Sequence, residues 1–103
     1  MLTSKQRAFL RSLAINEDTI LMIGKGGLSD AIIKQADDAL KARELIKGKV
    51  LETAECTSRE AADQIASATL SDVVQVIGSK FILYRRNPDD PKIELPSSKK
   101  HRR

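Results

Sequence analysis

The sequence predicts an α/β domain of two layers, in the order α-β-α-β-α-β-β, with helices packed on one face of a four-stranded mixed sheet. Three observations predict it. Stretches with helical spacing of apolar residues alternate with short β-branched runs, capping residues open each helical stretch, and a two-residue turn joins the last two runs. A length of 103 residues suits one domain. Such a chain buries roughly 60–65% of its unfolded surface, enough for a core without disulfides or metal.

Thr3 and Gln6 have capping-box spacing, and Phe9, Leu10, Leu13 and Ala14 follow on one stripe. This predicts a helix over about 3–14, with Arg7 and Arg11 one turn apart on its solvated side. "TILMI" (19–23) is short, apolar and rich in branched residues, as a buried strand is. Ser29 is a natural N-cap for a helix whose apolar face, Ile32, Ile33, Ala36, Ala39 and Leu40, runs to about Ala42. "ELIKGKVLE" (44–52) alternates as a strand, with Ile46, Gly48 and Val50 on one face and Lys47 and Lys49 on the other. Each helix carries a single apolar stripe, so the lysine face is expected to be open to solvent. Thr57 and Glu60 form a second capping box and open an alanine-rich helix through Ile65, Ala66 and Leu70. "DVVQVIG" and "KFILYRR" read as strands joined at Gly78-Ser79, a pair suited to a two-residue hairpin. "NPDDP" (87–91) then ends the regular structure. The domain is expected to cover 1–95, with Ile93 and Leu95 docked on it, and 96–103 to be a basic, disordered tail.

Composition excludes several classes. Apolar runs such as Ile20–Ile23 are far too short for a membrane span, and no signal h-region opens the chain, so a cytoplasmic protein without membrane association is expected. Cys56 is the sole cysteine and His101, in the tail, the sole histidine. No internal disulfide, Cys/His metal cluster or Cys-His or Ser-His-Asp centre is therefore available, and Cys56 reads as a small filler near a helix start. Asp37-Asp38 read as solvated helix charges and Asp89-Asp90 as turn residues. No catalytic centre, metal, cofactor or small-molecule substrate is expected.

Charge is more informative by position than in sum. Residues 1–91 hold thirteen Lys/Arg and thirteen Asp/Glu, so "KIELPSSKKHRR" (92–103) supplies the whole net +4. The neutral body is polarised: Lys5, Arg7 and Arg11 share an acid-free segment, as do Lys80, Arg85 and Arg86, while Lys41, Arg43, Lys47 and Lys49 face only Glu44. Residues 52–72 reverse this, with Glu52, Glu55, Glu60, Asp63 and Asp72 against Arg59. One basic and one acidic flank suit a polyanion held in a fixed orientation.

Between the first strand and the second helix stands Gly24-Lys25-Gly26-Gly27. The spacing fails the Walker A and dinucleotide patterns, leaving G-x-x-G. An ordinary tight turn is the plain reading of those four residues, but placement adds to them. Free amides and the helix dipole favour anions at a helix N-terminus, missing side chains admit a sugar-phosphate chain, and Lys25 can reach a phosphate. G-x-x-G is also the loop with which KH domains clamp a nucleic-acid backbone. RNA is the expected ligand rather than a free nucleotide, since no second phosphate-binding element is present. Phe9, Phe81 and Tyr84 are the only aromatics, so binding through phosphate and shape is expected, weakly sequence-selective and salt-sensitive.

"GKGGLS", "ARELIKGKVL" and "VVQVIGSKFILYRR", in this element order, resemble the CRM domain (chloroplast RNA splicing and ribosome maturation) over about residues 1–95. The single-domain form is similar to bacterial YhbY-type proteins, many of which end much like "KIELP". The resemblance implies a fold similar to the C-terminal domain of translation initiation factor three, RNA binding, and association with precursors of the large ribosomal subunit during assembly. Gly24, Lys25, Gly26 and Gly27 match the family's G-x-x-G, and Lys47 a typical basic position. Two positions depart: Arg43 replaces a usual histidine and keeps positive charge, and Gly48 replaces a usual β-branched residue, which suggests a bulge or a close neighbour. The candidate RNA-binding set is thus Gly24–Gly27 for the backbone, with Lys5, Arg7, Arg11, Lys25, Arg43, Lys47 and Lys49 as supporting charge. The expected partner is rRNA in a large-subunit precursor, bound by a monomer. The alternative is a protein-interaction module that docks its acidic third helix on a ribosomal protein or assembly factor.

Overall fold

In α1 (Ser4–Ala14) the Thr3 hydroxyl accepts from the Gln6 amide at 3.0 Å, and the Gln6 side-chain oxygen accepts from the Thr3 amide at 3.1 Å. The structure, a computed structural model, describes residues 2–96; of the tail expected to be disordered, 96–103, all but Pro96 lies outside them. β1 (Thr19–Ile23) follows, then α2 (Asp30–Arg43), whose cap Ser29 accepts from the Ile32 amide at 3.2 Å. β2 (Leu45–Val50) leads to α3 (Ser58–Thr69), opened by the reciprocal Thr57–Glu60 box, and to β3 (Asp72–Ile77) and β4 (Lys80–Tyr84). Gly78, at φ +57, begins the two-residue turn that pairs Ile77 with Lys80. Among the described residues no helix is long and apolar enough to cross a membrane.

The sheet order is β1-β2-β4-β3, with β1 parallel to β2 and the other pairs antiparallel. The α/β class, element order and mixed sheet are those expected. The layering differs, because the helices do not share one face. α2 and α3 bury Ala36, Leu40, Ala62 and Ile65 against Leu21, Ile46, Phe81 and Leu83. α1 lies across the opposite face, where Leu10 and Ala14 meet Leu45, Val74, Ile82 and Tyr84. The cause is in β4, whose "FILY" is buried on both sides of the pleat. An apolar stripe says that a helix is buried, not which sheet face covers it. Ile93 and Leu95 dock against the α1 core as expected. On the lysine face α1 therefore covers the Leu45 end, while Lys47 and Lys49 remain half-exposed.

Of the two readings of Gly48, the close neighbour holds, whereas the irregularity lies opposite it, in β1. The β1–β2 register shifts between Thr19 and Leu21, which pair with Lys47 and Gly48. A Cβ on Gly48 would also lie 2.3 Å from Cζ of Phe81.

Glu44 has an unforeseen role. It caps α2 at φ 66 with its side chain fully buried. Its carboxylate accepts from the backbone amides of Asn87 (2.6 Å), Lys92 (2.8 Å) and Ile93 (2.8 Å), and its carbonyl accepts from the Arg85 amide. Burying a carboxylate is costly unless its lone pairs are met by donors, and here they are. This one side chain ties the C-terminal segment to the domain.

Candidate nucleic-acid interface

The glycine corner is a turn closed by the Gly27 amide donating to the Gly24 carbonyl at 2.9 Å. Only Gly27, at φ +67, has a backbone that disfavours a side chain. A Cβ on Gly24 would meet Leu51 and Thr53 at ordinary distances, 3.5 and 3.7 Å, and one on Gly26 would meet nothing within 4 Å. Backbone conformation thus accounts for one of the three glycines and packing for none. Lys25 and Gly26 are exposed, Leu28 anchors the loop in the α2–α3 core, and Ser29 then caps α2, which begins at Asp30.

The end of the sheet beside this loop is cationic. The Leu51 amide donates to the Ile23 carbonyl at 2.8 Å and the Val50 amide to the Ser79 carbonyl at 2.7 Å, so loop, β2 end and hairpin lie together. Lys49 pairs across the sheet with Met22 on one side and Lys80 on the other. Lys47 shares the Lys49 face and, with Arg11 of α1 and Lys80, lines a groove of about 130 Å³. Of the residues singled out in the sequence, the fold therefore gathers Gly24–Gly27, Lys47, Lys49 and Arg11 along one strip. Lys80 and the exposed Met22 join them. Both were missed because their place depends on strand register. The alternation of β4 opposite Lys49 was the signal available.

Other candidates lie elsewhere. Arg43 is at the far end of α2, about 20 Å from the loop, with Nη1 4.0 Å from Glu17 Oε1. Lys5 and Arg7 sit in the first turns of α1, beside Gln6, whose Nε2 donates to the Pro96 carbonyl at 3.1 Å. Pro96, the last described residue, thus lies beside the α1 start that carries these two cations.

Arg85 is turned inward. Its Nη1 donates to Asp37 Oδ1 at 2.6 Å and to the Thr69 carbonyl at 2.7 Å, and Nη2 to the Asp37 carbonyl at 3.1 Å. Asp37 is therefore a structural partner rather than a merely solvated charge. The Arg85 hydrogen bond lowers its pKa against the opposing effect of burial, with further help from the Arg85 and Lys41 charges. On the remote sheet face, Glu60 serves the α3 cap and Asp63 lies 3.4 Å from Arg59.

The chain matches the CRS1 / YhbY (CRM) domain over residues 2–85. It is 44% identical to the Bacillus subtilis (strain 168) protein named "Probable RNA-binding protein YqeI", over 93% of this chain and 100% of that protein. It is 35% identical to a Haemophilus influenzae protein named "RNA-binding protein", over 92% of this chain and 95% of that one. Among solved structures, the solution structure of SAV1595 from Staphylococcus aureus superposes with a TM-score of 0.77 at 50% identity, covering 93% of this chain and all of the other. The family match spans most of the chain, the relatives align over nearly their full length and the fold superposes, and the chain belongs to the CRS1 / YhbY (CRM) domain family.

Proposed function

We propose that this chain is a non-enzymatic RNA-binding protein of the cytoplasm that acts as a monomer on rRNA in precursors of the large ribosomal subunit and aids their assembly. One observation carries the RNA reading: Gly24 and Gly26 are required by neither backbone conformation nor packing, yet they flank Lys25 at a helix N-terminus. Glycines that the fold does not need keep the backbone bare for something outside it. A sugar-phosphate chain fits, because the loop offers amides, a helix dipole and a lysine to the first phosphate. Lys49, Lys80, Lys47 and Arg11 then offer charge to those that follow. The relatives' names support RNA as the ligand. The choice of large-subunit rRNA rests on the resemblance to the CRM family.

Salt tests the mode of binding. With about six phosphate contacts, affinity should fall roughly a thousandfold between 50 and 200 mM salt; docking through the acidic α3 would change far less and would refute the proposal. Sequencing of RNA crosslinked to the protein in cells tests the target. Enrichment of large-subunit rRNA over its abundance is expected, and a profile that follows total RNA would contradict it.

A further inference from the structure

Two large aliphatic side chains stand in the open beside the cationic strip. Ile15, just past α1, is 77% exposed, and Ile77, at the end of β3, is 62% exposed. Both line one groove, together with the buried Ile82 and the cations Arg11, Lys47 and Lys80. These cations select what can enter. An apolar protein helix seated here would desolvate three cations without partners, which is costly. The occupant must present an apolar face while carrying negative charge at its edge. A nucleotide whose base has left its stack does both: the base packs on the aliphatic lining while its flanking phosphates meet the cations. Gln75, two residues before Ile77 on β3, also lines the groove and adds an amide able to donate to and accept from a base edge.

Continuity with the glycine loop sets the path. From Lys47 to the end of β2 is three residues, about 10 Å of strand, and the Ile23–Leu51 hydrogen bond leads from there to the loop. A strand gripped at Gly24–Gly27 thus passes Lys49 before it reaches the groove.

We propose that this groove is a nucleotide subsite that takes one unstacked base, so that the chain prefers single-stranded RNA to duplex. The inference rests on the RNA-binding reading above and deepens it. A paired base cannot turn into the groove, whereas the loop and lysines grip any phosphate backbone.

The test compares oligouridylate with a fully paired RNA duplex of equal length, using the full chain and thermal unfolding as a control. Ile15→Ser and Ile77→Ser leave every charge in place. Each should weaken single-strand binding about fivefold to tenfold, with duplex affinity and the salt slope unchanged. Ile77→Tyr enlarges the stacking surface at an exposed position and should strengthen single-strand binding, a gain that misfolding cannot imitate. Equal effects on both RNAs, or none on either, would overturn the subsite while leaving the loop reading intact; an unchanged single-strand affinity would leave these isoleucines to a protein contact. Failure of the unmodified chain to bind either RNA would instead refute the RNA-binding reading itself.

Discussion

Gly48→Ala places a methyl group where the fold has no room for one. The added Cβ would lie 2.3 Å from Cζ and 2.7 Å from Cε1 of Phe81, against an ordinary carbon–carbon contact of about 3.5 Å. The ring must retreat by about 1.2 Å, the difference between those distances. Phe81 is fully buried among Leu21, Ile46, Leu83 and the α2–α3 residues, so the ring has no free side to move into. Overpacking of this kind costs about 1–3 kcal/mol, partly offset by up to about 1 kcal/mol from replacing a flexible glycine. The net loss should be about 1–2 kcal/mol, or about 4–16 °C in Tm for a domain of this size. Phe81→Leu alone should also destabilise, since it leaves a cavity. In the double variant the smaller side chain admits the methyl, so the two losses should fall short of additive by about 1 kcal/mol or more. Urea denaturation of the four proteins measures this. Wild-type stability in Gly48→Ala, or strict additivity in the double variant, would refute the close contact as the reason for glycine here.

Glu44→Gln keeps one acceptor oxygen and sets an amide group against an N–H that needs an acceptor. It should cost about 1–3 kcal/mol and raise hydrogen exchange at Lys92 and Ile93, where unchanged protection would contradict the clamp. Arg85 holds the Asp37 carboxyl below its ordinary value of 3.8. A depressed folded pKa contributes stability above the unfolded value that is lost as pH falls through the folded one, so Asp37→Asn should flatten the decline in stability below about pH 4. Parallel acid limbs for the two proteins would mean that the pair contributes nothing. Deletion of residues 97–103, with Lys99, Lys100, Arg102 and Arg103, should lower the salt slope by up to about four phosphate contacts and weaken all RNAs alike; loss of one RNA alone would make the tail a specific reader.

What the sequence disclosed was local in origin. Thr3–Gln6, Ser29 and Thr57–Glu60 cap helices through atoms three residues apart, and Gly78-Ser79 turns a hairpin through its own backbone, so these were legible without the rest of the chain. The candidate strip was legible where its residues are contiguous, at Gly24–Gly27, and along one strand, at Lys47 and Lys49. The side of the sheet that α1 covers was not, because it depends on which face of a twice-buried β4 was still free. Glu44 looked like one acid in a basic run because its three donors lie 43 to 49 residues further on. Lys80 joined the strip, and Arg43 was left at the far end of α2, through strand register and helix direction, which spacing alone does not reveal.

Gly26 provides the sharpest test of a backbone-binding loop. Its φ is not positive and a side chain there would meet nothing within 4 Å, so Gly26→Asp should fold as the wild type does. The new carboxylate would face the anion that the loop receives, and like charges about 4 Å apart near a surface repel by about 4 kcal/mol before screening. RNA affinity measured for Gly26→Asp beside Lys25→Ala, with thermal unfolding of both, is the decisive comparison. The predicted result is unchanged Tm in each, at least about a tenfold loss of affinity for Gly26→Asp, and for Lys25→Ala a smaller loss with the salt slope reduced by about one contact. A folded Gly26→Asp protein that binds RNA as tightly as the wild type would show the loop to be only a turn.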